Sequence, residues 1–261
     1  MYSEKVKDHS FVKFANSKLA HLADPSGGNA KFDPATLRHS RGVNAACLVI
    51  AHSVGLTIQK GAVLTVAGLY HDYGRIECGN IGTISAVVAH APNKRVTEEE
   101  KFLRYQRRRH PHDGYMAQAH LFAGHEDADA TRGVRLMTLM HHTHNKDPRH
   151  NYPSKIAVAA YVVAKEVAPQ ELLKYKFSGH LLSIADFIQA VGLAPDEDRP
   201  YRTERLKAEG HVLLDGEHPI TFATRIAQTG LAELPPKHDL SITDIGAIML
   251  DHVDFLTEAS N

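Results

Sequence analysis

A chain of 261 residues with 43% apolar composition can form one large or two small domains around a buried core, and should fold without staples. Its 30 Lys and Arg balance its 30 Asp and Glu, so no global field draws it toward nucleic acid or an acidic membrane, and any attraction for anions has to be local. The only cysteines, Cys47 and Cys78, form no C-x-x-C pair, which argues against a disulfide framework or a thiolate metal site and suits a reducing cytoplasm.

The amino terminus lacks a basic start followed by an apolar run, so it does not read as a signal peptide. Residues 1–35 read as a short helix and a linker, ending in the loop-like run from Asp24 to Asn29. From Asp33 the pattern turns helical: Asp33 caps, Pro34 opens the first turn, and Val43, Cys47, Val49, Ile50 and Val54 recur at helical spacing as far as Gly55. Gly61 to His71 is nearly all apolar and predicts a central buried helix ending at Asp72-Tyr73-Gly74. Thr97 opens the next helix or helix pair, with Glu98, Glu99 and Glu100 in the first turn, where carboxylates complement the helix dipole. Further helices are predicted at 130–142, 154–167, 169–191 and 243–256. The clearest break is at 196–200, and the only hint of strand alternation is at 211–214. The longest apolar stretches, such as 156–163, fall far short of the roughly 20 residues of a membrane span. These features predict an all-α protein: an N-terminal helix and linker (1–35), a catalytic helical bundle (36–205), and a C-terminal helical extension (206–261) packed on the same domain.

Histidine is the outlier of the composition. The chain has 19, against 9 Tyr and 9 Phe, and imidazole is the commonest metal ligand. Metal-binding types recur as His39, His71-Asp72, His110, His141-His142 and Asp186, each on a separate predicted helix and roughly 30 to 45 residues apart. Helices packed as a bundle can each point one ligand into a shared interior. A carboxylate has two oxygens and can bridge two cations, while an adjacent His supplies a nitrogen to one of them. Asp186 follows Leu181-Leu182-Ser183-Ile184-Ala185, and a carboxylate in so apolar a stretch needs a cation or strong hydrogen bonds. Each residue taken alone also fits a hydrogen-bonded or surface role; their joint occurrence makes the metal site the leading reading.

The chain resembles the HD-GYP branch of the HD-domain phosphohydrolases. The matching segments are His39-Ser40-Arg41 with Val43, Leu69 to Ile76, Val96 to Glu100, His110 to Gly114, His141-His142, Ile184-Ala185-Asp186 and Asp198 to Arg202, in the family's order over about two thirds of the chain. The resemblance implies an HD-domain helical bundle around a dinuclear centre. His39, His71 and Asp186 would hold one metal, His110, His141 and His142 the other, and Asp72 would bridge. It also puts Arg75 where the family usually has a Lys beside the nucleophile and the substrate phosphate; Arg offers a planar fork in place of a point charge. Two departures stand out. Of the Gly-Tyr-Pro triplet only Tyr152 and Pro153 are present, and Ala35 stands where some members carry a Glu for a third metal, so two ions are expected.

Arg104, Arg107, Arg108 and Arg109 run directly into His110. Guanidinium groups contact phosphate oxygens bidentately, so Arg107 and Arg108 are substrate-binding candidates with Tyr152 and Arg202, although a solvated face answering Glu98 to Glu100 fits the same arginines. His112, His144 and His150 read as exposed loop histidines, and Asp113 as a helix-surface carboxylate or an orienter of a neighbouring imidazole. No Walker loop, G-x-S-x-G elbow or H-E-x-x-H motif is present.

The expected function is hydrolysis of a cyclic dinucleotide or a related nucleotide phosphodiester by a metal-activated hydroxide. Asp72 and Arg75 are the catalytic residues, and two divalent transition-metal ions serve as cofactors, Fe or Mn ahead of Ni, Co, Zn or Mg. The protein is expected in the cytoplasm, off the membrane and without extended nucleic-acid binding; a homodimer is allowed. The rivals are a mixed-valent di-iron oxygenase, an HD-type single-strand nuclease and a non-catalytic nucleotide receptor.

Overall fold

A computed structural model of the chain describes residues 1–23, 34–77, 98–146, 169–195 and 206–260. The helices are α1 (Tyr2–Lys7), α2 (Ser10–Ala23), α3 (Pro34–Ser53), α4 (Ile58–Tyr70), α5 (Gly74–Glu77), α6 (Glu98–Leu121), α7 (Ala128–Met140), α8 (Pro169–Ile188), α9 (Pro219–Gly230), α10 (Ile242–Asp251) and α11 (Val253–Ala259). The fold is all-α, with no strand among the described residues; extended backbone pairs there at an isolated antiparallel bridge between Asn145 and Leu231. No described helix is long and apolar enough to cross a membrane.

The centre of the bundle is α4. Thr57 caps it by accepting from the Lys60 amide, and every residue from Gly61 to Tyr70 is buried, as an all-round apolar helix requires. Helices α1, α2, α3, α7 and α8 pack around it. Side chains such as Leu64, Leu136, Leu181 and Ile184 are fully buried, each worth roughly 2 kcal/mol. Tyr70 Oη donates to the Ala15 carbonyl at 2.8 Å, and Gln118 Nε2 on α6 donates to the Tyr70 carbonyl at 2.8 Å and to Thr138 Oγ1 at 3.0 Å. The carboxyl end of α4 is thereby tied to α2, α6 and α7.

The expected helices over 34–55, 61–71, 130–142 and 169–191 are present within a few residues. The described residues 1–23 hold two helices instead of one, and Val6, Phe11, Val12 and Ala15 join the core. The expected carboxyl-terminal helix is two, broken at His252. Ile220, Ile245, Met249 and Leu256 are fully buried, so the terminal region completes the core against α3 and α8. Residues 211–214 are not a strand: Val212, Leu213 and Leu214 are exposed, and no segment among the described residues pairs with them. The loop expected at 24–29, the helix at 154–167, the break at 196–200, Asp33, Cys78 and Thr97 lie outside the described residues.

Gly74 sets how closely α5 and α6 approach. A Cβ there would collide with the His110 carbonyl oxygen and stand 2.5 Å from the Gly114 amide nitrogen, both of them backbone atoms. Gly74→Ala should therefore cost about 3 kcal/mol, the upper end for overpacking, because neither obstacle can rotate aside. Urea denaturation of the variant measures this, and an unchanged midpoint would show that the contact yields.

Candidate metal centre

Two helices end in the same local device. His71 is the carboxyl-terminal cap of α4 and His141 that of α7. Each ring donates from Nδ1 to the carbonyl three residues back, His71 to Gly68 at 2.8 Å and His141 to Thr138 at 2.5 Å. Each bond satisfies a carbonyl near the helix end and fixes the tautomer, which leaves the Nε2 lone pair aimed inward. The next residues, Asp72 and His142, are delivered by the same turns. Both helix ends also carry the negative pole of a dipole, which favours a cation between them.

Two triads result. His39 from α3, His71 and Asp186 from α8 bring one ligand atom each within 4.8 Å of one another, and so do His110 from α6, His141 and His142. In the first triad the His39 and His71 Nε2 atoms are 3.2 Å apart, and Asp186 Oδ1 lies 2.9 Å from His39 Nε2 and 3.5 Å from His71 Nε2. In the second, His110 Nε2 is 3.2 Å from the Nε2 of both His141 and His142. Neighbouring donors around one ion at about 2.1 Å stand about 3.0 to 3.4 Å apart, so both triads fit a first-row divalent ion.

Asp72 lies between them. Its Oδ2 is 3.6 Å from His71 Nε2 and 3.8 Å from His39 Nε2, while its Oδ1 is 3.2 Å from His110 Nε2 and 4.0 Å from His141 Nε2. Both oxygens are buried without a well-formed hydrogen bond, although Arg75 Nη1 approaches Oδ2 at 2.9 Å. A buried carboxylate has to be paired; Arg75 supplies one partner, and a cation at either triad would supply another. These buried His and Asp clusters can hold a metal ion.

Electrostatics prepare the ligands. Burial works against charge on Asp72, but Arg75, His71 and His110 outweigh it and hold the carboxyl well below its usual range. Asp186 is likewise held low against its burial by His71 and His39. Burial, then His110 and His71, push His141 down to about 3, and burial with His141 and His110 takes His142 well below its usual value. His71 is the exception: burial opposes its charge, yet Asp72, Asp186 and the Gly68 carbonyl raise it.

Arg75, Asp186 and His142 are the parts of this cluster that solvent reaches. The side chains of Arg75 and Asp186 are 25% and 16% exposed, and His142 is partly exposed, whereas His39, His71, Asp72, His110 and His141 are buried. Each triad thus has one member at the surface. Arg109 and His112 both bond Asp113, at 3.0 and 3.1 Å, so the imidazole that Asp113 orients belongs to neither triad. The side chains of Arg104, Arg107 and Arg108 lie outside the described residues, as do His150, Tyr152, Arg199 and Arg202.

Sequence reasoning missed the outer partners. Gln189 Oε1 accepts from His39 Nδ1, and Ser183 Oγ donates to the His141 carbonyl at 2.5 Å. His144 is 8% exposed, not a surface loop residue; it stacks on His180 at 4.0 Å, and its Nδ1 lies 3.0 Å from Ser183 Oγ. A signal existed: Ser183, Asp186 and Gln189 are the polar residues of the apolar stretch 181–191 and recur every three residues.

Burial, then His180 and Lys176, push His144 down to about 3. The unfolded chain therefore takes up this proton first as pH falls below about 6.5, and the folded state does so only near the depressed value. Stability from His144 is fully present above about 6.5 and lost at up to about 1.4 kcal/mol per pH unit on the way down. His144→Phe should flatten this part of the acid limb in denaturation of metal-free protein; an identical slope would place the titration elsewhere.

No protein-family model matches the chain, and no curated protein matches it.

Proposed function

We propose that this chain is a two-metal phosphohydrolase of the HD type acting on a nucleotide phosphodiester, a cyclic dinucleotide first among them. The observation that carries the reading is the buried Asp72 carboxylate, which turns one oxygen to each of two ligand triads and has no well-formed hydrogen bond at either. His39, His71 and Asp186 would hold one ion, His110, His141 and His142 the other, and Asp72 both. When bound, a pair of divalent ions supplies Lewis acidity toward a phosphate and acidifies water into a nucleophile near neutral pH.

The residues do the rest. Two divalent cations against Asp72 and Asp186 leave a formal charge of about +2, which suits an anionic substrate in a chain of zero net charge. The approach is past Asp186, His142 and Arg75. Arg75 stands on Asp72 with its guanidinium partly in solvent, where it can orient a phosphate and stabilise the charge that develops on it. The third imidazole of the second triad supports hydrolysis over oxygen chemistry, because it fills a position that oxygen would need.

Protein loaded with Fe or Mn should hydrolyse cyclic di-GMP, cyclic GMP-AMP or a linear dinucleotide, and should leave carboxylic esters and peptides intact. Turnover of single-stranded DNA alone would select the nuclease reading. Oxygen uptake without phosphodiester turnover would select the oxygenase, and tight nucleotide binding without turnover the receptor.

A further inference from the structure

The ligands of the first triad differ in how they are held. His71 is steadied by a carbonyl of its own helix, whereas His39 sits in the second turn of α3, where the backbone carbonyls are already taken by the helix itself. Its Nδ1 is met by a side chain 150 positions away, the amide of Gln189.

Three features bring that amide into reach. Gln189 is buried, and it begins the π-helical turn Gln189–Leu193 that continues α8 one turn beyond Asp186. The wider turn closes with the Ala194 amide donating to the Gln189 carbonyl at 2.9 Å. On the facing helix, Gly42 lies one turn beyond His39 and clears the space. A Cβ at residue 42 would stand 2.5 Å from Gln189 Nε2 and 2.5 Å from Ser260 Oγ. The polar end of Gln189 therefore lies between α3, Ser260 just after α11 and the π turn itself.

From this geometry we infer that Gln189 is a positioning residue for the first triad: by accepting the His39 Nδ1 proton it fixes the tautomer that presents Nε2 to a cation beside Asp186, and so sets the affinity of that triad and not of the other. The amide acts through His39 and needs no contact with ion or substrate. Asp186 near the end of α8 and Gln189 at the start of the π turn that continues it lie three residues apart, so one continuous segment carries both a member of this triad and the brace for another. His110, His141 and His142 share no hydrogen bond with Gln189, and their occupancy should be indifferent to it.

The inference rests on the two-metal reading, and one titration separates the two. Co2+ is titrated into metal-free wild type, Gln189→Met, Gln189→Glu and Gly42→Ala, with heat and ligand-field absorption as readouts and circular dichroism as the check on folding. Wild type should take two ions. Gln189→Met, of similar shape but without an acceptor, should lose 10- to 100-fold in affinity at one site and keep the other within about twofold. Gln189→Glu restores an acceptor and should keep both ions, which a purely packing role would not predict. Gly42→Ala displaces the amide without removing it and should repeat the one-site loss, so the test survives if Gln189→Met does not fold. Equal Co2+ binding by wild type and a folded Gln189→Met or Gly42→Ala would overturn the role of Gln189 and leave the two-metal reading intact. Fewer than two ions on wild type would overturn the two-metal reading itself, whatever the variants do.

Discussion

Asp72→Ala should leave the protein unable to hold either ion, with affinity at both triads down by more than about 100-fold, since even outer partners of metal ligands are worth 10- to 100-fold. The expectation follows from the carboxylate's two faces: Oδ2 belongs with His39 and His71, Oδ1 with His110 and His141. His110→Ala should instead empty only the second triad, because His110 groups with His141 and His142 and not with His39, His71 and Asp186. Elemental analysis after loading with excess metal and desalting distinguishes the cases. Matching partial losses in the two variants would argue against a bridging carboxylate.

Arg75→Ala should retain both ions and lose about 100-fold or more in phosphodiester turnover. Removing one fixed positive partner of a developing phosphate charge costs on the order of 2 to 4 kcal/mol. Arg75→Lys keeps the charge and should retain much of the rate. The ion pair at 2.9 Å adds a second effect, since its partner Asp72 is wholly buried. Losing one member of a buried pair typically costs about 3 to 5 kcal/mol, so metal-free Arg75→Ala should be markedly less stable, and bound metal should recover most of the loss. Normal turnover in fully loaded Arg75→Ala would leave the arginine as a partner of Asp72 and nothing more.

The membership of the two His and Asp clusters was legible in the sequence because it depends on residue type: His and Asp at helix ends, or alone in an apolar helix, stand out from their surroundings. The long helices α3, α4, α7 and α8 were legible for a similar reason, their apolar spacing being dense. Helix α9 was not. Its Ile220, Thr221, Phe222, Thr224 and Ile226 are indifferent helix formers, and it forms because one face packs on α8 and α10. The exposed run at 211–214 shows the opposite error, since a short apolar run becomes a strand only where a neighbour pairs with it, and none among the described residues does. Gln189, Ser183 and His144 stayed hidden because their roles come from contacts 39 to 150 positions away, which residue type does not reveal.

The triads and Asp72 draw on α3, the ends of α4 and α7, α6 and α8, so the seven residues come together only when nearly the whole bundle has assembled. An unfolded chain keeps its histidines but not their grouping, so an ion that binds here favours the native state. Free metal at about 100 times its dissociation constant would add about 2.7 kcal/mol to folding for each independent site. For a domain of ordinary marginal stability that is a sizeable share. The amount of folded protein in a cell would then follow the metal supply, and a chelator would act first on its lifetime.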